Sequence, residues 1–105
     1  MERNKLKKTI FIFLFVVLGL NQIIAAPFTT YWQNQKGITA LTHNKYEKAL
    51  EYFSQAVTKS PENSEIYYNL GNVFYRTSDL DKAINSYQDA LVNLKREKKA
   101  AAFYN

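Results

Sequence analysis

The stretch Asn69–Leu91, NLGNVFYRTSDLDKAINSYQDAL, decides how the whole chain is interpreted. Its spacing of small and bulky residues occurs once before at a 34-residue offset, so that Gly37 matches Gly71 and Ala49 matches Ala83. Further matched pairs are Lys48 with Lys82, Leu50 with Ile84, Phe53 with Tyr87, Ala56 with Ala90, and Val57 with Leu91. A fixed period of this length is typical of helical repeat arrays.

Each of the two copies holds two segments with helical periodicity. In the second copy, the later segment places Ala83, Tyr87 and Ala90 on one stripe of an α-helix, and the earlier segment places Leu70 and Phe74 on another. An apolar stripe must be covered by a partner, so the segments predict helices that pack in pairs. The predicted helices span residues 31–42, 46–59, 65–77 and 80–94.

A glycine stands inside the first predicted helix of each pair. Glycine in a helix costs roughly 0.5–1 kcal/mol relative to alanine, so a compensating contact is expected. We expect the partner helix to approach Gly37 at Ala49 and Gly71 at Ala83, with the aromatic residues filling the remaining gaps.

Capping signals separate the predicted helices. Asn44 and Ser78 each stand three residues before an acid, which is the pattern of a side-chain cap at a helix N-terminus. Pro61 ends the first pair, and Asn63 or Ser64 can cap the helix that follows.

The start of the first repeat carries a similar signal. Pro27–Thr30 is predicted to be a short linker, and Thr30 with Gln33 fits a capping box for the first helix.

These residues resemble the tetratricopeptide repeat, a 34-residue helix-turn-helix unit. The resemblance rests in the second copy on Tyr67, Leu70, Gly71, Phe74, Ala83, Tyr87 and Ala90, and in the first on Gly37, Ala49, Phe53, Ala56 and Pro61. It departs from the family pattern at Lys36, where leucine is usual, and at Lys95, where proline is usual. The resemblance implies an all-α fold of tetratricopeptide-type repeats, an α-α superhelix, with one repeat at 30–63 and another at 64–97. Residues 98–105 are either the stub of a third repeat or an extension of the last helix.

The segment 1–26 has a different composition from the rest. Met1–Lys8 carries four cations, Ile10–Leu20 is an unbroken apolar run, and the segment ends in small residues at Ala25 and Ala26. This order is the plan of an export signal, and the run is short for a membrane-spanning helix, which needs about 20 apolar residues. The alternatives are a signal peptide cleaved after Ala25, an uncleaved N-terminal membrane anchor, and a buried soluble helix. The first two predict an exported protein, either periplasmic or anchored to the inner membrane and facing the periplasm.

Composition limits the remaining function classes. A chain of 105 residues allows one small domain, and its net charge of +5 arises from lysines and arginines near the two ends. Basic and acidic residues nearly balance between Pro27 and Leu94, which argues against a nucleic-acid partner. The chain has no cysteine, so neither a disulfide framework nor a lipid-modified cysteine is available.

The resemblance implies a concave groove that binds a protein or peptide partner. Asparagine side chains can pair with the backbone of an extended ligand, and tyrosines offer broad contact at low entropy cost. The predicted groove residues are Tyr31, Asn34, Tyr68, Asn69, Asn72, Tyr75, Arg76 and Asn105. Asn34 and Tyr68 occupy the places where chaperone-binding members carry lysines, so a chaperone-tail receptor is not expected. The competing interpretation is that Asn69 and Asn72 are surface residues with no ligand.

No residue pattern indicates catalysis. The single histidine, His43, lies in a predicted turn, and Glu47 with Glu51 forms a solvated helix face without further metal ligands. We therefore predict no enzyme activity, no cofactor and no metal site.

Two functions remain open. The first is an exported scaffold that holds a partner segment and helps to assemble an envelope complex. The second is a structural protein that associates with itself through the outer face of Tyr87 and Leu91, which two repeats leave uncovered. Alternatively, this face belongs to a longer array or is covered by Ala100–Asn105. The exported layout also resembles that of tetratricopeptide proteins associated with the Bat aerotolerance complexes of bacteria.

Overall fold

The computed structural model describes the backbone of residues 2–104 and the side chains of residues 2–18 and 28–104. Within this part of the chain the secondary structure is helical. The helices are α1 (Glu2–Thr42), α2 (Tyr46–Lys59), α3 (Ser64–Arg76) and α4 (Leu80–Tyr104). The prediction of an all-α chain of helix-turn-helix repeats is therefore confirmed.

The helices pack in the order in which they follow one another. α1 packs on α2, α3 packs on α4, and α2 joins the two pairs by packing on α3. Short turns make successive helices antiparallel neighbours. Phe53 of α2 and Ile66 and Val73 of α3 are the largest fully buried side chains, so the core lies where the two pairs meet.

Aromatic rings lie against both helical glycines. A Cβ added to Gly37 would overlap the ring of Phe53, and one added to Gly71 would lie 2.5 Å from Cε1 of Tyr87. Close approach of the partner helix at each glycine is thus confirmed. The atoms nearest to each added Cβ belong to these rings, which lie one helical turn after Ala49 and Ala83, where the sequence predicts the approach.

The two turns within the pairs correct the prediction for Asn44 and Ser78. Both residues have left-handed backbone conformations, with φ of 58° and 64°. The amide of Lys45 donates to the carbonyl of Ala40 at 2.8 Å, and the amide of Asp79 makes the equivalent bond to Phe74 at 2.9 Å.

This pattern is a Schellman motif, which ends the preceding helix instead of capping the next one. Asn44 and Ser78 lie one residue too early to cap. The residues that follow them, Lys45 and Asp79, stand directly before α2 and α4. Lys45 gives α2 no side-chain cap, whereas the side chain of Asp79 accepts a long hydrogen bond of 3.4 Å from the Lys82 amide in α4. The side-chain hydrogen bond from Lys82 lowers the pKa of Asp79 below its usual value.

The start of α3 was predicted correctly. Asn63 is its N-cap, and its side-chain oxygen accepts from the amide of Glu65 at 3.1 Å. The hydroxyl of Tyr67 donates to the carbonyl of Pro61 at 2.8 Å, which fixes the turn before the helix.

The predicted linker at Pro27–Thr30 and the capping box of Thr30 with Gln33 are wrong. α1 passes through these residues without a break. Pro27 removes one backbone donor, yet α1 continues through it to Thr42. Gln33 instead donates to the side-chain oxygen of Gln55 at 3.1 Å, and Thr30 accepts from the hydroxyl of Ser60 at 3.2 Å, so both tie α1 to α2.

Residues 2–26 of the predicted export segment lie in α1. Residues 2–18 are exposed throughout, including the apolar side chains of Ile10–Leu18. The proposed cleavage point after Ala25 lies outside the residues whose side chains are described. Among the described residues, no helix is both long enough and apolar enough to cross the bilayer.

The last helix continues through the basic stretch that follows Leu94 and reaches Tyr104. The carboxylate of Glu97 accepts hydrogen bonds from both the amide and the hydroxyl of Ser64, each at 2.9 Å. Because Ser64 is the first residue of α3, this carboxylate satisfies a free donor and interacts favourably with the helix dipole. The extension of α4 is thereby fastened to the start of α3.

Replacing Gly71 with alanine should lower the free energy of unfolding by about 1–3 kcal/mol, although alanine is the better helix former, because the added methyl overlaps the Tyr87 ring. Urea denaturation measures the change. The exposed helical variant Gln88→Ala is the control, with an expected change within about 0.5 kcal/mol. Equal stability of Gly71→Ala and the wild type would contradict the proposed ring contact.

Glu97→Ala should free the extension of α4 and cost about 1 kcal/mol, because it removes a charged acceptor from the N-terminus of α3. Hydrogen exchange should be faster in residues 95–104, and Lys98→Ala, one residue away, should leave it unchanged. Unaltered exchange in Glu97→Ala would show that the carboxylate does not hold the extension.

Candidate protein-interaction surfaces

A line of hydrogen-bonded side chains connects the two repeats. Asn69 on α3 donates from Nδ2 to Oδ1 of Asn34 on α1 at 3.0 Å, and Asn34 donates from Nδ2 to Oε1 of Glu65 at 2.9 Å. Both asparagines are buried. A buried amide left without partners costs more than a hydrogen bond returns, so these bonds specify how α1 and α3 align.

Asn72, another of the predicted groove asparagines, is also hydrogen-bonded within the fold. Oδ1 of Asn72 accepts from the hydroxyl of Tyr87 at 2.7 Å, which links α3 to α4 within the second repeat. The structure therefore gives Asn34, Asn69 and Asn72 bonds inside the fold. The amide Nδ2 of Asn72 makes no hydrogen bond to another described residue, so it remains a donor for a ligand.

Tyr87 lies beneath two exposed tyrosines of α3. Its ring centroid is 5.7 Å from that of Tyr68, and burial, followed by the neighbouring phenols of Tyr68 and Tyr75, raises the pKa of Tyr87. A raised pKa means that the fold favours the neutral hydroxyl. The contribution of the Tyr87 hydroxyl to stability is present below about pH 10, the usual tyrosine pKa, and is lost as the pH rises through the raised pKa of Tyr87.

The other predicted groove residues lie on the surface. Tyr68 and Tyr75 are exposed and two helical turns apart on α3, with Arg76 beside them. Tyr31 is exposed on α1 and its ring contacts Trp32 edge to face at 6.0 Å. Asn105 lies outside the described residues.

An apolar groove lies at the end of the stack formed by α3 and α4. We call it the tail groove, and its volume is 560 Å³. It is lined by Ser64, Glu65, Tyr68, Tyr87, Ala90, Leu91 and Leu94. Of the predicted groove residues, Tyr68 lines it. The groove includes Tyr87 and Leu91, the outer face that the sequence predicts two repeats to leave uncovered.

A second groove of 460 Å³ lies at the opposite end, between α1 and α2. We call it the head groove, and its lining includes Trp32, Lys36, Thr39, Lys45, Lys48 and Tyr52. The ammonium groups of Lys36 and Lys48 lie 5.8 and 5.7 Å from the centre of the Tyr52 ring, so the surface is basic and aromatic. His43 also lines it, where its ring nitrogen lies 2.8 Å from the carbonyl of Thr39.

Carboxylates do not gather into a metal site in the part of the chain that the structure describes. Glu47 and Glu51 are exposed on α2, and no cluster of three acidic, histidine or cysteine side chains exists among the described residues.

Asn34→Ala should lower the free energy of unfolding by about 1–3 kcal/mol, because it leaves the buried Asn69 amide without its acceptor. Chemical denaturation measures this, with the exposed Asn85→Ala on α4 as the matched control. The double variant Asn34→Ala with Asn69→Ala should cost less than the sum of the single variants. Additive costs would show that the two amides are not coupled.

A curated relative matches part of the chain. The general transcriptional corepressor trfA of Dictyostelium discoideum is 38% identical over 60 residues, which amount to 57% of this chain. The chain covers 4% of the length of that relative.

The family comparison covers more of the chain. A family profile described as the tetratricopeptide repeat matches residues 34–105, which include the last turns of α1 and all of α2, α3 and α4. Proteins of this kind are generally non-enzymatic scaffolds for protein–protein interaction. With its paired helices, ring-covered glycines and 34-residue period, the chain belongs to the tetratricopeptide repeat family.

Proposed function

We propose that this protein is an interaction scaffold that holds a segment of a partner protein against the exposed face of α3, and of α1 beside it. The observation that carries the proposal is the row of Tyr68, Tyr75 and Arg76, which are exposed above side chains that the fold has already fixed. Large side chains on a rigid support lose little entropy on binding.

The fixed side chains beneath the row support this function. Tyr87 holds the Asn72 amide by its oxygen, which leaves the Nδ2 group as a donor for a backbone carbonyl of the partner. The bonds of Asn34 to Asn69 and Glu65 align α1 with α3, so that Tyr31 is held on the neighbouring helix. We assign the ligand contacts to the tyrosines, Arg76 and the Asn72 amide, and the alignment of the helices to Asn34 and Asn69.

We further propose that the protein acts after export, in the bacterial envelope, as a member of an assembled complex. The support for this is the sequence of the segment 1–26, with cations before the apolar run and small residues after it. The match of 60 residues to a transcriptional corepressor favours the alternative, a scaffold in a regulatory complex. Fractionation of the native cells separates the two settings.

The double variant Tyr75→Ala with Arg76→Ala should lose partners that the wild type captures, because it removes the aromatic and the cation from the exposed face. The measurement is affinity capture from an extract of the native cells, with the captured proteins identified by mass spectrometry. Gln88→Ala, exposed on α4, is the matched control and should retain them.

Retention of every partner by the Tyr75→Ala, Arg76→Ala variant would show that this face does not bind. Circular dichroism of both variants should match the wild type, since Tyr75 and Arg76 are exposed and contribute little to the core.

A further inference from the structure

The 34-residue offset allows each end of the stack to be compared with the packed surface at its centre. At the centre, α3 covers a surface of the first repeat that includes Phe53, Ala56 and Val57. α3 meets it with Ile66 and Val73, both 0% exposed. This interface shows which side chains a neighbouring helix places on the surface of a repeat.

The tail groove corresponds, one repeat later, to the surface of the first repeat that α3 covers. Its residues Tyr87, Ala90 and Leu91 stand one repeat after Phe53, Ala56 and Val57 and keep the same chemistry. Val57 is half-buried, whereas Leu91 is 58% exposed and the neighbouring Tyr68 is 55% exposed. Where Ser60 stands at the centre, the tail groove has Leu94, so it is the more apolar of the two surfaces.

The head groove lacks the aliphatic residues with which α3 covers the first repeat. The positions one repeat before Ile66, Leu70 and Val73 hold Trp32, Lys36 and Thr39, all of which are exposed. A cation and a hydroxyl have therefore replaced two aliphatic side chains of the stripe that packs at the centre. Burying them against leucines without partners would cost binding energy, so the head of a second copy is a poor occupant of the tail groove.

The described residues after Leu94 do not fill the tail groove either. α4 continues as a helix to Tyr104, and Phe103 is 88% exposed. Glu97 fastens this extension to Ser64 at the border of the groove, so that its apolar floor remains open.

We propose that the tail groove binds one amphipathic α-helix from a partner protein, in the position that α3 takes on the first repeat. The helix carries aliphatic side chains two helical turns apart, as do Ile66 and Val73. The tail groove shares Tyr68 with the proposed partner face but does not include Tyr75 or Arg76, so this inference adds a second, adjoining binding site to the proposed function.

The probe is a fluorescein-labelled peptide with the sequence of α3, SEIYYNLGNVFYR, titrated with the full chain and followed by fluorescence anisotropy. Saturable binding is expected. Leu91→Asp should weaken it at least about tenfold, since a leucine contact is replaced by a charge that must lose water. Leu94→Asp should weaken it in the same direction and provides a second, independent variant.

Two controls fix the location. Thr39→Asp, in the head groove, should leave the affinity unchanged, and a peptide with aspartate at the positions of Ile66 and Val73 should not bind. Tyr75→Ala with Arg76→Ala should bind the peptide as the wild type does, so failure of the proposed function and failure of this inference are distinguishable.

Three outcomes would overturn the proposal. The first is that the wild-type chain does not bind the peptide. The second is that Leu91→Asp binds it as tightly as the wild type, which would mean that the peptide displaces α3 from the first repeat. The third is a wild-type dimer in sedimentation that Leu91→Asp dissociates, which would make a second copy the occupant.

Discussion

The contact between an aromatic ring and a glycine on the facing helix is the constraint on which each repeat depends. Phe53 lies over Gly37 and Tyr87 lies over Gly71, each so close that no Cβ fits between them. The absence of a side chain on one helix thus makes room for a large one on the other, and the energy of burying the ring offsets the low helix propensity of glycine. The same contact occurs in both repeats, which is why the 34-residue period is visible in the sequence.

The contact between the repeats uses a second kind of interaction. Aliphatic side chains of α3 fill the surface offered by α2, and this burial supplies most of the attraction. The bonds of Asn34 with Asn69 and Glu65 add direction to it, because a shift of α3 along α1 would leave buried amides unpaired. Apolar packing therefore favours stacking in general, and the amides select one alignment.

The two ends of the stack differ in the chemistry that they present. The head groove replaces the aliphatic stripe with Trp32, Lys36 and Thr39, and its lysines lie over the ring of Tyr52. The tail groove keeps an apolar floor with Leu91 and Leu94. The molecule thus has one basic, solvated end and one apolar end, and the exposed tyrosines of α3 form a third surface.

The sequence by itself determined the helical type of the repeats, their period, a cap at Asn63 or Ser64 and the close approach at the glycines. These features follow from periodicity and from local backbone chemistry, which depend on residues a few positions apart. Only the tertiary structure decided that Asn44 and Ser78 end helices, that α1 runs through Pro27–Thr30, and that Asn34 and Asn69 bond to each other. Each of those outcomes depends on which groups from distant parts of the chain meet, and the same short pattern fits either outcome until the helices are packed.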